Sequence, residues 1–273
     1  MELIYRIVSL FNRVSVAYRR VHPEIKKNWL VLDVGGGDSP SPKASVFCDA
    51  AEKNTERLGN LKMDRPFVWA SAEQLPFKDR IFDYSILSHV LEHLSEPNLA
   101  LDELQRVSRA GYIETPGAFT EATIPYAFHF SRCVVDEGVL TITMKSKYDE
   151  RLEHDIFLNA IRCWRELYRL NSKVSLTTFY WKDKFKYKIN GKAFLGKPVD
   201  IMPEGTQIYN RFIRKVAYWW YKPRKKFVLE DILACPICRG VLGKDREALF
   251  CSSCGRKYNK FQGYYDFRII KIT

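Results

Sequence analysis

No apolar run in this 273-residue sequence approaches the ~18 residues that a membrane-spanning helix requires. There is no internal repeat and no low-complexity tract, which sets aside solenoids and arrays. The first twenty residues carry Arg6, Arg13, Arg19 and Arg20 among apolar positions and lack a small-residue cleavage site. They are expected to form an amphipathic helix rather than a signal peptide. Disulfides are also not expected, since four of the seven cysteines fall in two C-x-x-C pairs, a spacing that points to metal in a reducing compartment. The cytoplasm is the expected location.

The chain is long enough for one α/β core and a small second unit, and 46% hydrophobic with 28% charged residues is an ordinary globular balance. Acidic residues are scarce in one stretch only. Between Asn171 and Leu229 there are 14 Lys and Arg against 3 acidic residues, so most of the net charge of +12 sits there with 13 of the 38 aromatics.

From Trp29 to Ile113 apolar runs alternate with helical or loop crossovers. Trp29–Val34, Ala44–Asp49, Phe67–Ala70, Phe82–Leu87 and Gly111–Glu114 read as five strands, and Leu99, Leu101 and Leu104 mark a helix before the fifth. Such alternation implies a parallel, doubly wound sheet whose ligand lies beyond the carboxyl ends of the strands. Beyond Thr115, Val139–Met144 reads as one strand of an inserted hairpin, Ile156–Leu170 as a helix, and Tyr209–Tyr221 as a basic helix stopped by Pro223. Val174–Trp181 and Phe185–Ile189 are expected to pair as an antiparallel hairpin closing the sheet edge.

Asp33-Val-Gly-Gly-Gly37 follows the first strand; glycines there let backbone turn sharply and approach a nucleotide closely. The dinucleotide pattern G-x-G-x-x-G is missing, with Pro40 in its third position, which argues against a pyrophosphate cofactor. Asp49 ends the second strand, where a carboxylate can accept hydrogen bonds from ribose hydroxyls. Ala70-Ser-Ala-Glu-Gln-Leu-Pro-Phe77 follows the third, and His89-Val-Leu-Glu-His93 the fourth.

In this order the four segments resemble the class I S-adenosylmethionine methyltransferases of the small-molecule branch, over roughly residues 29–117. The resemblance implies that Asp33, Gly35, Gly36 and Gly37 hold the methionine and ribose parts of the cofactor, that Asp49 binds the ribose, and that Ser71 and Ala72 flank the adenine. Ser88 joins the same set. The family usually carries aspartate where Ser71 stands, so that adenine contact is expected to be weaker. His89–His93 also spells H-x-x-E-H, a pattern of some zinc proteases. That reading fails because it needs one long helix and a third ligand, whereas a strand ends directly before it.

For an oxygen acceptor a general base is useful, and histidine suits neutral pH. His89 is the first candidate and His129 the second; Glu114 is placed to bond the substrate or cap a loop. Each of these has a structural or pocket-lining alternative. Glu114-Thr-Pro-Gly117 carries no Asn-Pro-Pro-Tyr-type motif, which argues against amino methylation.

Cys235-Pro-Ile-Cys238 and Cys251-Ser-Ser-Cys254 form C-x2-C-x12-C-x2-C, two knuckles able to bring four thiolates onto one structural zinc. A unit of about 45 residues buries little core, and ligation offsets that shortage. Residues 227–268 resemble the small zinc-binding activator proteins that partner tRNA, rRNA and translation-factor methyltransferases. The resemblance implies docking of this module on the preceding domain.

The expected architecture is therefore α/β: a Rossmann-like, doubly wound, mostly parallel sheet with an antiparallel edge hairpin, plus a small zinc-ribbon-like domain. Residues 1–200 form the methyltransferase domain with an inserted segment at 118–150, residues 201–228 a basic aromatic linker, and residues 229–273 the zinc module. The basic stretch reads as a solvated face, an RNA track or an anionic-membrane surface. Its consecutive bulky residues, Ala217-Tyr-Trp-Trp-Tyr221, favour the membrane. The glycine-rich loop and Gly111–Pro116 further resemble methyltransferases of bacterial surface-polysaccharide synthesis. The expected reaction is methylation, at oxygen, of a small or lipid-linked glycan-like acceptor. An RNA methyltransferase and a non-catalytic cofactor-binding scaffold are the alternatives.

Overall fold

In the computed structural model, the described residues are 22, 24–51, 60–123, 128–145, 175–192, 216, 218–245 and 248–268. The expected N-terminal helix, the helix at 156–170 and most of the helix at 209–221 lie outside them.

A six-stranded sheet forms the centre. Its strands are β1 (Val31–Val34), β2 (Val46–Asp49), β3 (Phe67–Trp69), β4 (Tyr84–Ser88), β5 (Ala110–Pro116) and, much later in the chain, Leu176–Lys182. All of β1, β2 and β3 is buried, the pattern of parallel strands covered on both faces. The spatial order is β3-β2-β1-β4-β5 and then Leu176–Lys182, which pairs antiparallel with β5 at the edge. Chain order reverses between β1 and β4, so the crevice above these two strands is the place for a ligand.

Helix α1 (Pro97–Val107) leads into β5. Proline suits its first turn, where a missing N–H costs nothing, and Ala100, Leu101, Leu104 and Val107 recur at helical spacing to bury one face. After β5 come α2 (Ala118–Thr123), β6 (Ser131–Asp136) and β7 (Val139–Met144), the last two forming a tight hairpin.

The edge departs from the expected hairpin. The strand Leu176–Lys182, here β8, does close the main sheet, but β9 (Tyr187–Asn190) pairs in parallel with β7 in a separate three-stranded sheet. The turn at Asp183, with φ of 61°, therefore hands the chain from one sheet to another. Aromatic packing accounts for the split: Phe185 lies against Phe179 and Trp181, and its backbone N–H donates to Gln105. Tyr187 then donates to Asp102, also on α1.

The C-terminal residues form α3 (Leu229–Ile232) and an antiparallel sheet of β10 (Leu242–Asp245), β11 (Ala248–Cys251), β12 (Lys257–Phe261) and β13 (Tyr264–Tyr265). Several hydrogen bonds run from these residues to the main sheet and its loops. Phe267 N donates to Trp69 O at 2.8 Å and the Trp69 indole donates to Phe261 O at 3.2 Å. Ala234 N donates to Pro76 O, and Lys78 N to Ile232 O, each at 3.0 Å. Arg239 donates to Glu103 of α1 at 2.7 Å, and the Arg268 guanidinium lies over the Trp69 ring.

Candidate active site

The crevice beyond β1 and β4 contains a pocket lined by Val34, Gly35, Asp49, Ala50, Ala51, Ala70, Ser71, Ala72, His89, Val90, His93 and Leu94. The ends of four parallel strands thus supply its wall. Gly35 turns the chain out of β1 with φ of +69°, and its N–H donates to Cys48 O at 2.8 Å. A Cβ on Gly35 would stand 2.3 Å from Val90 Cγ2, so the loops after β1 and β4 meet only because this residue has no side chain.

Asp49 is nearly buried and straps the pocket floor: one carboxylate oxygen accepts from Gly37 N at 3.1 Å and the other from Ala51 N at 2.9 Å. Asp33, expected in the cofactor set, also shapes the loop. Its carboxylate accepts from Ser41 N at 2.6 Å and fixes the return of the glycine loop, and Asp33 is not in the pocket lining. Gly36 packs between Pro40 and Phe47, and Gly37 and Ser88 also stand off the lining. Gly35, Asp49, Ser71 and Ala72 are the expected cofactor residues that the pocket brings together. Ser71 Oγ accepts from Glu73 N at 3.2 Å, shaping the turn after β3.

His89 sits at the pocket in a left-handed conformation, φ 55°, its backbone N–H donating to Glu114 O. Its Nδ1 faces Glu92 and its Nε2 faces Glu114, each at 3.3 Å. Burial works against a proton on the ring, but the bonds to Glu114 and Glu92 outweigh it and raise the pKa to about 9. Glu114 lies behind the pocket wall and accepts from Ser88 Oγ and the Tyr112 hydroxyl as well.

Behind the wall, Glu92 and His93 occupy the single 3-10 turn Leu91–His93. His93 reaches the pocket, while His129 is buried outside its lining with its ring 4.7 Å from that of His93. Glu92, Glu121 and Lys145, all buried, carry this arrangement, and of these Glu121 and Lys145 were not foreseen from the sequence. Only His93 and Glu92 had a visible signal, the H-x-x-E-H pattern. The one-turn helix supports setting aside its protease reading.

The four cysteines converge as their spacing implies. Their sulfurs all lie within 4.8 Å of one another, with Cys238 and Cys251 3.3 Å apart and Cys235 and Cys254 3.7 Å apart. Although burial opposes ionisation, the N–H groups of Cys254 and Ser253 and the Cys238 thiol draw the Cys251 thiol down to about 6. A tetrathiolate set of this kind fits a closed structural zinc.

The sheet order and the crevice over its switch point define the class I methyltransferase fold, which implies S-adenosylmethionine as cofactor. The glycine turn without room for a Cβ and the strapped Asp49 fit that group. Residues 34–113 match the family model described as a methyltransferase domain, and residues 226–259 match that of the Trm112p-like proteins. The chain thus carries a methyltransferase domain followed by a Trm112p-like domain. A demethylmenaquinone methyltransferase of Paenarthrobacter aurescens is 33% identical over 110 residues, covering 37% of this chain and 43% of that protein. An uncharacterized methyltransferase of Mycolicibacterium gilvum is 35% identical over 102 residues, covering 31% and 37%. The chain therefore spans less than half the length of these curated relatives. Among solved structures, the YcgJ protein of Bacillus subtilis is similar at 20% identity over 41% of this chain and 57% of its own, with a TM-score of 0.31.

Proposed function

We propose that the chain transfers a methyl group from S-adenosylmethionine to a small or lipid-linked acceptor, at oxygen. The observation that carries this reading is the pocket uniting Gly35, Asp49, Ser71 and His89 at the ends of four parallel strands. The cofactor supplies the electrophilic methyl, and the protein's task is to orient the acceptor and handle its proton. Gly35 gives backbone approach for the methionine part, Asp49 faces the ribose, and Ser71 and Ala72 flank the adenine. Asp33, Gly36 and Gly37 shape the loop, and Ser88 and Glu114 support His89. Relatives named as demethylmenaquinone methyltransferases support a small-molecule acceptor.

The base role first expected for His89 changes with its surroundings. Both ring nitrogens face carboxylates, so the imidazole acts as a donor on each side and offers no lone pair to an acceptor hydroxyl. An acceptor with an acidic hydroxyl suits this site better than a simple alcohol. His129 lies outside the pocket lining, so it is the less direct of the two histidines.

The division into residues 1–200, 201–228 and 229–273 belongs to the same proposal. The hydrogen bonds from Ala234, Arg239 and Phe267 to the first domain support docking of the zinc module in cis, where it covers the open edge of β3. Trp219 and Trp220, 68% and 62% exposed beside Arg224, Lys225 and Lys226, support attachment to an anionic membrane face from the cytoplasmic side. No helix among the described residues is long and apolar enough to cross a membrane. The Trm112p-like match favours one second reading, an RNA acceptor.

Labelled methyl transfer from S-adenosylmethionine into a fractionated host extract tests these readings. Label in the lipid or glycan fraction supports the first, and label in RNA replaces it with the second. A folded protein that binds no S-adenosylmethionine at millimolar concentration overturns both.

A further inference from the structure

We infer that Glu92, His93 and His129 form a second metal site, separate from the four cysteines, for a divalent first-row transition cation of the zinc type. One carboxylate oxygen of Glu92 and one ring nitrogen from each histidine all lie within 4.8 Å of one another. A tetrahedral ion holding ligands at ~2.1 Å needs them about 3.4 Å apart, so modest side-chain closure completes the set.

Glu92 supplies the independent observation. The residue is 1% exposed, and its Oε2 has no hydrogen-bond partner among the described residues. A buried carboxylate oxygen without a donor is costly, and a cation removes that cost. The other oxygen, Oε1, is engaged by His89 at 3.3 Å, which leaves the orientation of the carboxylate fixed.

Both imidazoles are also held for ligation. Nδ1 of His129 is bonded to Glu121 Oε1, and Glu121 is itself pinned through Oε2 by Lys145 Nζ at 2.9 Å. With Nδ1 on a carboxylate, the opposite ring nitrogen is the ligand atom, the carboxylate–histidine–metal relay that raises imidazole basicity and fixes its tautomer. The His93 ring stacks on Phe128 with 6° between planes and meets His129 edge-on. Two nitrogen donors and one carboxylate favour zinc and its neighbours over magnesium or calcium, which prefer all-oxygen shells.

Three protein ligands leave a fourth position for water or substrate. His93 belongs to the pocket lining, so an ion held there would adjoin the crevice. Coordination of an acceptor oxygen there would lower its pKa and perform the task that His89 cannot. This last role rests on the methyl-transfer reading; metal binding itself does not.

Cobalt(II) titration of the metal-stripped full-length chain tests the site. Thiolate ligation gives strong near-ultraviolet charge-transfer absorption, whereas nitrogen and oxygen ligands add only visible d–d bands. Two equivalents are expected to bind, one with and one without charge-transfer intensity. Glu92→Gln and His129→Gln should each lose the second equivalent and keep the first, and Glu121→Gln should weaken the second by about 10–100-fold. Saturation of the wild-type chain at one equivalent, all of it thiolate-bound, overturns the proposal. So does a second equivalent that persists unchanged in both folded ligand variants. The wild-type titration decides alone if a variant does not fold. All these readouts are independent of methyl transfer, so loss of the enzyme reading would leave them intact.

Discussion

Val90 fills the space that a side chain on Gly35 would need: a Cβ at residue 35 would lie 2.3 Å from Val90 Cγ2. The backbone at Gly35 is also left-handed, so Gly35→Ala combines overlap with strain. We expect a loss of about 2–4 kcal/mol in stability and at least tenfold weaker S-adenosylmethionine binding, read by denaturant unfolding and calorimetry. Gly138→Ala is the control. That turn has a positive φ with open space around it, so the cost should be only about 1 kcal/mol, with cofactor binding unchanged.

Asp49 ties two backbone N–H groups to its two oxygens. Asp49→Asn retains one carbonyl oxygen and places an amide donor against an N–H. We expect cofactor affinity to fall by roughly 10–100-fold, in line with about 1.5–3 kcal/mol for a bond to a charged group. Unchanged affinity would remove Asp49 from the ribose site.

Metal removal should loosen the C-terminal sheet first. Its cysteine knuckles stand at the start of the module and at the end of β11, so chelation or Cys251→Ser is expected to expose residues 229–268 to limited proteolysis. The intact first domain should resist longer. Equal cleavage with and without zinc would count against a structural metal.

Trp219 and Trp220 project beside a basic run. Their joint replacement by alanine should lower retention on anionic vesicles about tenfold at ~0.15 M salt, where weaker surface attraction is already screened. S-adenosylmethionine binding should be unaffected. Failure of the wild-type protein to co-sediment would refute membrane attachment.

The central strands were legible because buried parallel strands are continuous apolar runs ending in loop residues. Val31–Val34, Val46–Asp49 and Tyr84–Ser88 lie within a residue or two of their expected limits. The C-x-x-C pairs were legible because metal ligation imposes local spacing. The fate of β9 was hidden, since a short hairpin pattern does not record that Phe185 and Tyr187 find partners in β8 and α1. Glu121 and Lys145 were hidden for a related reason. Isolated charged residues read as surface, and only the fold brings Glu121, His129 and Lys145 from separate segments into one buried group.

The bond between Trp69 and Phe261 also has a bearing on biosynthesis. It joins positions 192 residues apart, so a ribosome delivers β3 long before the segment that covers its edge. During that interval the strand presents unpaired backbone and aromatic surface, the condition under which nascent chains aggregate or recruit a chaperone. Translation speed downstream of residue 69 should therefore influence the yield of native protein, and early supply of residues 226–268 as a separate chain should raise it.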